Sequence, residues 1–125
     1  MTGKVLVVDD DEYLRQFLCM TLRIEGYEVL EAANGDQALK VARAEKPNLI
    51  LLDWIMPGQP GIEVLKTLRA DESTKDIPVI MVTAKSEDAD LSLSSLEGAS
   101  AYLSKPFDAT VVSLLVNRFM EGAQQ

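Results

Sequence analysis

Residues 49–58, LILLDWIMPG, carry the first signal of chemistry: four aliphatic residues, Leu49 to Leu52, run unbroken into Asp53, and Met56-Pro57-Gly58 then turns the chain away. An apolar run without alternation fits a strand buried on both faces, as in a parallel sheet covered by helices. A carboxylate where such a strand meets its loop lies on the carboxyl edge of the sheet, where open α/β sheets hold their ligands. Aspartate is equally at home capping a turn, so its partners must decide. Three other groups end similar apolar runs. The acidic run Asp9-Asp10-Asp11-Glu12 follows Lys4 to Val8 (KVLVV), Thr83 follows Val79 to Val82 (VIMV), and Lys105 follows Ala101 to Leu103. Acidic residues gathered beside Asp53 would repel it unless a divalent cation sat among them. Lys105 supplies a compact positive charge from another side, and Thr83 a hydroxyl donor. Together they would neutralise a tetrahedral anion carried on, or arriving at, Asp53. Each has a plainer alternative: helix caps for the acidic run, a strand-end hydroxyl for Thr83, a surface charge for Lys105. Only their convergence on one sheet edge argues for chemistry.

The elements that must position these groups follow from periodicity. Leu14, Phe17, Leu18, Thr21 and Leu22 recur at helical spacing, predicting a first helix from about Glu12 to Glu25 that Gly26 closes. Tyr27 to Ala32 predicts a second strand. Asn34 with Gln37 three residues on is a capping-box pattern opening a helix to about Lys46, before Pro47. Pro60-Gly61 precedes Ile62, Leu65, Leu68 and Arg69, an amphipathic third helix with proline tolerated in its first turn. The segment DESTKD is then a polar loop. Ser86 can cap a fourth helix whose Ser92, Ser94 and Ser95 lower its intrinsic helicity. Gly98 ends it, a short fifth strand leads to Ser104-Lys105-Pro106-Phe107, and Asp108 caps a final helix with Val111, Val112, Leu115 and Phe119 inward. Five strand-then-helix units predict an α/β fold, one doubly wound five-stranded parallel sheet with right-handed crossovers, in a single domain over residues 1–125.

Composition removes several function classes. The chain has 125 residues, 47% hydrophobic and 26% charged, as in an ordinary globular domain large enough to bury a core. No apolar run is long enough to cross a bilayer, and no basic-then-apolar secretory pattern opens the chain, so a cytoplasmic location without membrane contact is expected. A net charge of -8 without any basic cluster argues against binding nucleic-acid phosphates. The single cysteine, Cys19, excludes an internal disulfide; its place in a helical pattern reads as half-buried packing. The absence of histidine removes Ser-His and Cys-His catalysis and histidine metal sites. Carboxylates remain, and oxygen ligands select a hard cation such as Mg²⁺.

The joint order of VVDD, LLDWIMPG, VTA and YLSKPF resembles the receiver domains of two-component response regulators, chemotaxis-type single-domain receivers included, over essentially the whole chain. The resemblance implies a flavodoxin-like fold with strand order 2-1-3-4-5. It implies Asp53 as phosphoacceptor, Asp10 as direct Mg²⁺ ligand, Asp9 acting on the metal through water, and the backbone carbonyl of Ile55 as a further ligand. It also implies Thr83 and Lys105 as holders of phosphoryl oxygens, Tyr102 as an aromatic switch, and a cis Lys105–Pro106 bond. The implied partners are a sensor histidine kinase or histidine phosphotransfer protein and a downstream protein target or output domain. Without an output domain, no direct nucleic-acid binding is expected. The implied output face is the fourth helix, fifth strand and final helix, where one of Leu91 and Leu93 is presented to a partner. Asp11 is read as a helix cap and Trp54 as packing at the rim.

Two places depart from the family's usual pattern: Pro60 stands where an acidic residue often precedes the glycine, and Ser100-Ala101 stand where acidic residues often precede the aromatic. A second reading comes from Asp9-x-Asp11, which mimics the DxD element of haloacid-dehalogenase-type aspartate-nucleophile phosphohydrolases. Those enzymes would turn over many equivalents of a phosphate ester, whereas a phosphoacceptor stops near one phosphoryl group per chain.

Overall fold

The computed structural model describes residues 3–56, 59–84 and 99–123. Its elements are β1 (Lys4–Val8), α1 (Glu12–Ile24), β2 (Glu28–Ala32), α2 (Gly35–Glu45), β3 (Leu49–Asp53), α3 (Gly61–Ala70), β4 (Val79–Ala84), β5 (Ala101–Lys105) and α4 (Ala109–Ala123). All strand pairs are parallel, as strand-helix alternation predicts, and the order is β2-β1-β3-β4-β5, as the family resemblance implies. The predicted fourth helix, with Ser86 through Gly98, lies outside the described residues, as do Pro57 and Gly58.

Alternation along the strands splits the core in two. Val5, Val7, Leu49, Leu51, Ile80 and Val82 pack on one face beneath Leu18, Cys19 and Leu22 of α1 and Val112, Val116 and Met120 of α4. Leu6, Val8, Ile50, Leu52, Val79 and Met81 pack on the other, beneath Ala38, Leu39 and Ala42 of α2 and Val64, Leu65 and Leu68 of α3. A sheet covered on both sides is why the central strands read as unbroken apolar runs. Each fully buried aliphatic side chain there contributes about 1.5–3 kcal/mol against leaving it in water.

Local signals set the helix starts. Asp11 accepts from the amides of Tyr13 and Leu14 at 3.0 and 3.3 Å. Asn34 accepts from Gln37 N at 2.9 Å while the Gln37 side chain reaches back to Ala33 N at 2.8 Å, a reciprocal pairing that satisfies two amides at the helix entry. Asp108 accepts from Val111 N at 2.9 Å. Gly26, at φ 100°, takes the left-handed conformation that ends the first helix.

Several expectations about faces need correction. Val111 is 45% exposed, and the inward stripe of α4 is Val112, Val116 and Met120, with Leu115 and Phe119 half-buried at its flank. Phe17 likewise lies at the outer edge of α1, at 6.4 Å between ring centroids from Phe107. Both helices carry more apolar residues than one face can take. Cys19 is fully buried rather than half-buried. The loop DESTKD is not wholly solvated: Thr74 is buried and its hydroxyl donates to Leu68 O at 2.7 Å. The fifth strand runs two residues further than its apolar core, through Lys105.

Candidate functional site

Register brings the acidic groups together. Val8 of β1 is level with Leu52 of β3, so the next residues, Asp9 and Asp53, come level at the carboxyl edge. Side chains alternate along strands. Asp9 and Asp53 therefore share the parity of Val7 and Leu51, and Lys105 that of Leu103, all on the α1/α4 side. Asp10, the next residue after Asp9, is exposed. One carboxylate oxygen each from Asp9, Asp10 and Asp53 lie within 4.8 Å of one another.

The electrostatics are unfavourable for so much negative charge. Asp53 is 5% exposed, and burial, together with the neighbouring Asp9 charge, pushes its carboxyl up to about 6 despite the pull of Lys105. Lys105 Nζ stands 3.4 Å from Asp53 Oδ1. Asp9 is also raised, chiefly by burial, against the opposing effects of the Asp11 amide and Lys105. Its Oδ1 accepts from Asp11 N at 2.9 Å. Among the described residues its buried Oδ2 has no hydrogen-bond partner. A buried carboxylate oxygen without a donor is costly, and a cation is what such an oxygen suits. The three carboxylates could therefore hold a metal ion, a hard one given an all-oxygen donor set.

The remaining groups arrive from neighbouring strands. Asp53 is level with Val82, and Thr83, one residue further along β4, is wholly buried and level with Ser104. Ile55 is 59% exposed in the loop after β3, and Trp54 is partly buried against the α2/α3 side of the core. Tyr102, 38% exposed, sits outward on β5 beside a groove formed with Phe107, Val111 and Leu114. The Lys105–Pro106 peptide is cis. At the two departures from the family pattern, Pro60 is the extended residue before α3, at φ -60° and ψ 153°, and Ser100 donates its N–H to Val79 O at 2.8 Å while its Oγ accepts from Val79 N at 3.2 Å.

Two residues support the site in ways that sequence reasoning did not assign. Arg15 of α1 donates from Nη1 to Asp9 O at 2.8 Å and from Nε to Glu31 Oε1 at 3.0 Å, fixing the backbone where β1 turns into the acidic run. Gly61 donates its amide to Trp54 O at 3.0 Å, drawing α3 against the end of β3. An arginine within an ordinary helical pattern gives no signal of such a contact. The glycine before an amphipathic run does, but only as a mark of close approach.

A family model for the response regulator receiver domain matches residues 5–117. The chain is 50% identical over 109 residues to the phosphate regulon transcriptional regulatory protein PhoB of Pseudomonas aeruginosa, taking in 86% of this chain and 47% of that protein. It is 42% identical over 107 residues to the DNA-binding response regulator MtrA of Mycolicibacterium paratuberculosis, with coverage of 86% and 46%. The chain thus spans about half the length of the curated relatives it matches. Among solved structures, the chemotaxis response regulator CheY4 of Vibrio cholerae is similar with a TM-score of 0.85 at 32% identity, covering 95% of this chain and 99% of that one.

Proposed function

This chain belongs to the response regulator receiver domain family, a family of two-component signalling domains, and from that premise we propose that Asp53 is its phosphoacceptor. The observation that carries the proposal is Asp53 itself: a nearly buried carboxylate at the end of β3, 3.4 Å from Lys105 Nζ and beside Asp9. With its carboxyl near 6, Asp53 is largely ionised at neutral pH and available as a nucleophile.

A carboxylate oxygen of Asp53 attacks the phosphorus of a phosphohistidine on a partner kinase or phosphotransfer protein. The new P–O bond forms as the P–N bond breaks, and the imidazole nitrogen leaves with the electron pair. Lys105 and the Thr83 hydroxyl hold the phosphoryl oxygens during transfer, so the chain contributes mainly positioning and charge neutralisation. The unpartnered Asp9 Oδ2 and the all-oxygen donor set fit Mg²⁺. Asp10 and Asp53 would hold it directly, with the Ile55 backbone carbonyl, and Asp9 through water. When bound, Mg²⁺ would offset the negative charge of the carboxylates and of the incoming phosphoryl group.

Residues 1–125 are read as one receiver domain, working in the cytoplasm and accepting a single phosphoryl group rather than turning over substrate. Among the described residues no helix is long and apolar enough to cross a membrane. The longer relatives are named as transcriptional and DNA-binding regulators, which fits a downstream partner or output domain that acts on DNA while this acidic chain does not. Tyr102, half-exposed on β5 beside α4, is the residue proposed to transmit the modified state to that partner. The haloacid-dehalogenase alternative is not supported: the family match covers residues 5–117, and Asp11, the second acid of its DxD element, is engaged in capping α1.

Intact-mass measurement with Mg²⁺ and a small phosphodonor tests the assignment. Wild type should gain the mass of one phosphoryl group and stop. Labelling of Asp53→Ala at the wild-type level, or labelling unaffected by excess chelator, would overturn it.

A further inference from the structure

The first residue of α3 presses on the backbone of the proposed phosphoacceptor. A Cβ on Gly61 would stand 2.1 Å from the Asp53 carbonyl oxygen, 3.0 Å from its carbonyl carbon and 3.1 Å from Trp54 Cα. All three are main-chain atoms, so no rotamer change relieves the clash. The oxygen contact alone must open by about 0.9 Å to reach the 3.0 Å below which real Cβ contacts are essentially never found. Glycine is needed there for proximity: the positive-φ glycines among the described residues are Gly3 and Gly26.

The strain has nowhere else to go. The backbone of Trp54, next to Asp53, is tied on both sides: its N donates to Val82 O at 2.8 Å, and its O accepts from Gly61 N at 3.0 Å. Behind Gly61, α3 is anchored by buried Val64, Leu65 and Leu68. Gly35, at the start of α2, is a useful contrast. Its added Cβ would meet Gln59 Oε1, the end of a flexible side chain, at 2.4 Å and the buried Val64 Cγ2 at 2.9 Å; its three nearest atoms include no main-chain atom, and neither residue belongs to the acidic edge.

We propose that Gly61 is a positioning residue for phosphoryl transfer: by bearing no side chain and donating to Trp54 O, it sets the Asp53 peptide at the depth where its carboxylate meets Lys105 and the two acids of β1's end. The inference rests on Asp53 being the phosphoacceptor. A misplacement of roughly 1 Å at a reacting group can cost about 100-fold in rate.

The test compares wild type, Gly61→Ala and Gly35→Ala, each at a temperature where it is fully folded. Phosphorylation by phosphoramidate with Mg²⁺ is followed by intact mass, and Mg²⁺ half-saturation by Trp54 fluorescence. Gly61→Ala should label about 10- to 100-fold more slowly and need more Mg²⁺. Gly35→Ala should lose stability yet label at the wild-type rate. Folded Gly61→Ala labelling like wild type, or both variants slowing in step with their loss of stability, overturns the proposal. Should Gly61→Ala not fold, an amide-to-ester replacement at the Pro60–Gly61 linkage removes the N–H donor without adding an atom; slowed labelling supports the proposal and unchanged labelling overturns it. A wild type that does not label on Asp53 sinks the phosphoacceptor reading itself, an outcome distinct from either variant's.

Discussion

Replacing Asp53 by its neutral isostere, Asp53→Asn, should stabilise the metal-free protein at neutral pH. The Asp53 carboxyl lies near 6 in the folded chain against an ordinary 3.8, because burial and the Asp9 charge outweigh Lys105. A raised carboxyl means that the folded state holds a proton which the unfolded chain has already released. Wild-type stability therefore falls as pH rises from about 4 to about 6, and the full cost is present above that window. Holding the carboxylate ionised in so unfavourable a place costs the folded chain about 3 kcal/mol. For a domain of this size that is about 10 °C in Tm. Thermal and urea unfolding of both proteins in chelator, from about pH 4 to about pH 8, measure it. The gap between them should be near zero at the acid end and open progressively toward neutrality. Adding Mg²⁺ should then narrow it, because a cation bound only by the folded wild type stabilises by mass action. Equal stability at neutral pH, or a gap that widens as pH falls, would refute the account of a site strained by its own charge.

Asp9→Asn should also stabilise the metal-free chain, since it removes the charge that helps raise Asp53, while raising the Mg²⁺ half-saturation, read by Trp54 fluorescence, by about 10- to 100-fold. Ile55 offers no side-chain hydrogen bond to orient an attacking water, so wild type should hold its phosphoryl group longer than Ile55→Asn does; a longer lifetime in the variant, by intact mass over time, contradicts this. Hydrogen exchange with a phosphoryl mimic and Mg²⁺ should change protection across residues 86–103 and in α4, and a change confined to the loop after Asp53 would remove Tyr102 from the output route.

Strand identity was legible because it is written locally. Unbroken apolar runs ending at Val8, Leu52 and Val82 announce strands covered on both faces, and Asp11, Asn34 and Asp108 cap helices through bonds spanning two or three residues. Helix faces were less legible. α4 offers apolar residues at Val111, Val112, Leu114, Leu115, Val116, Phe119 and Met120, and only packing against the sheet and α1 selects Val112, Val116 and Met120. Strand order came from family resemblance; alternation alone leaves it open.

The sequence by itself determined which side chains end the strands. Tertiary structure decided which of them face one another and what state they are in. Asp9 and Asp10 are neighbours of one type, yet the first is buried with an unpartnered oxygen and the second is exposed, because Asp9 continues the alternation of β1 onto the side covered by α1 and α4 and Asp10, its successor, does not. Gly61 read only as the glycine before a helix; its contact with the Asp53 carbonyl exists because core packing of α3 draws two backbones together across a loop. Periodicity and capping act between residues a turn apart. The depth at which a carboxylate sits, and so its charge, depends on everything packed around it.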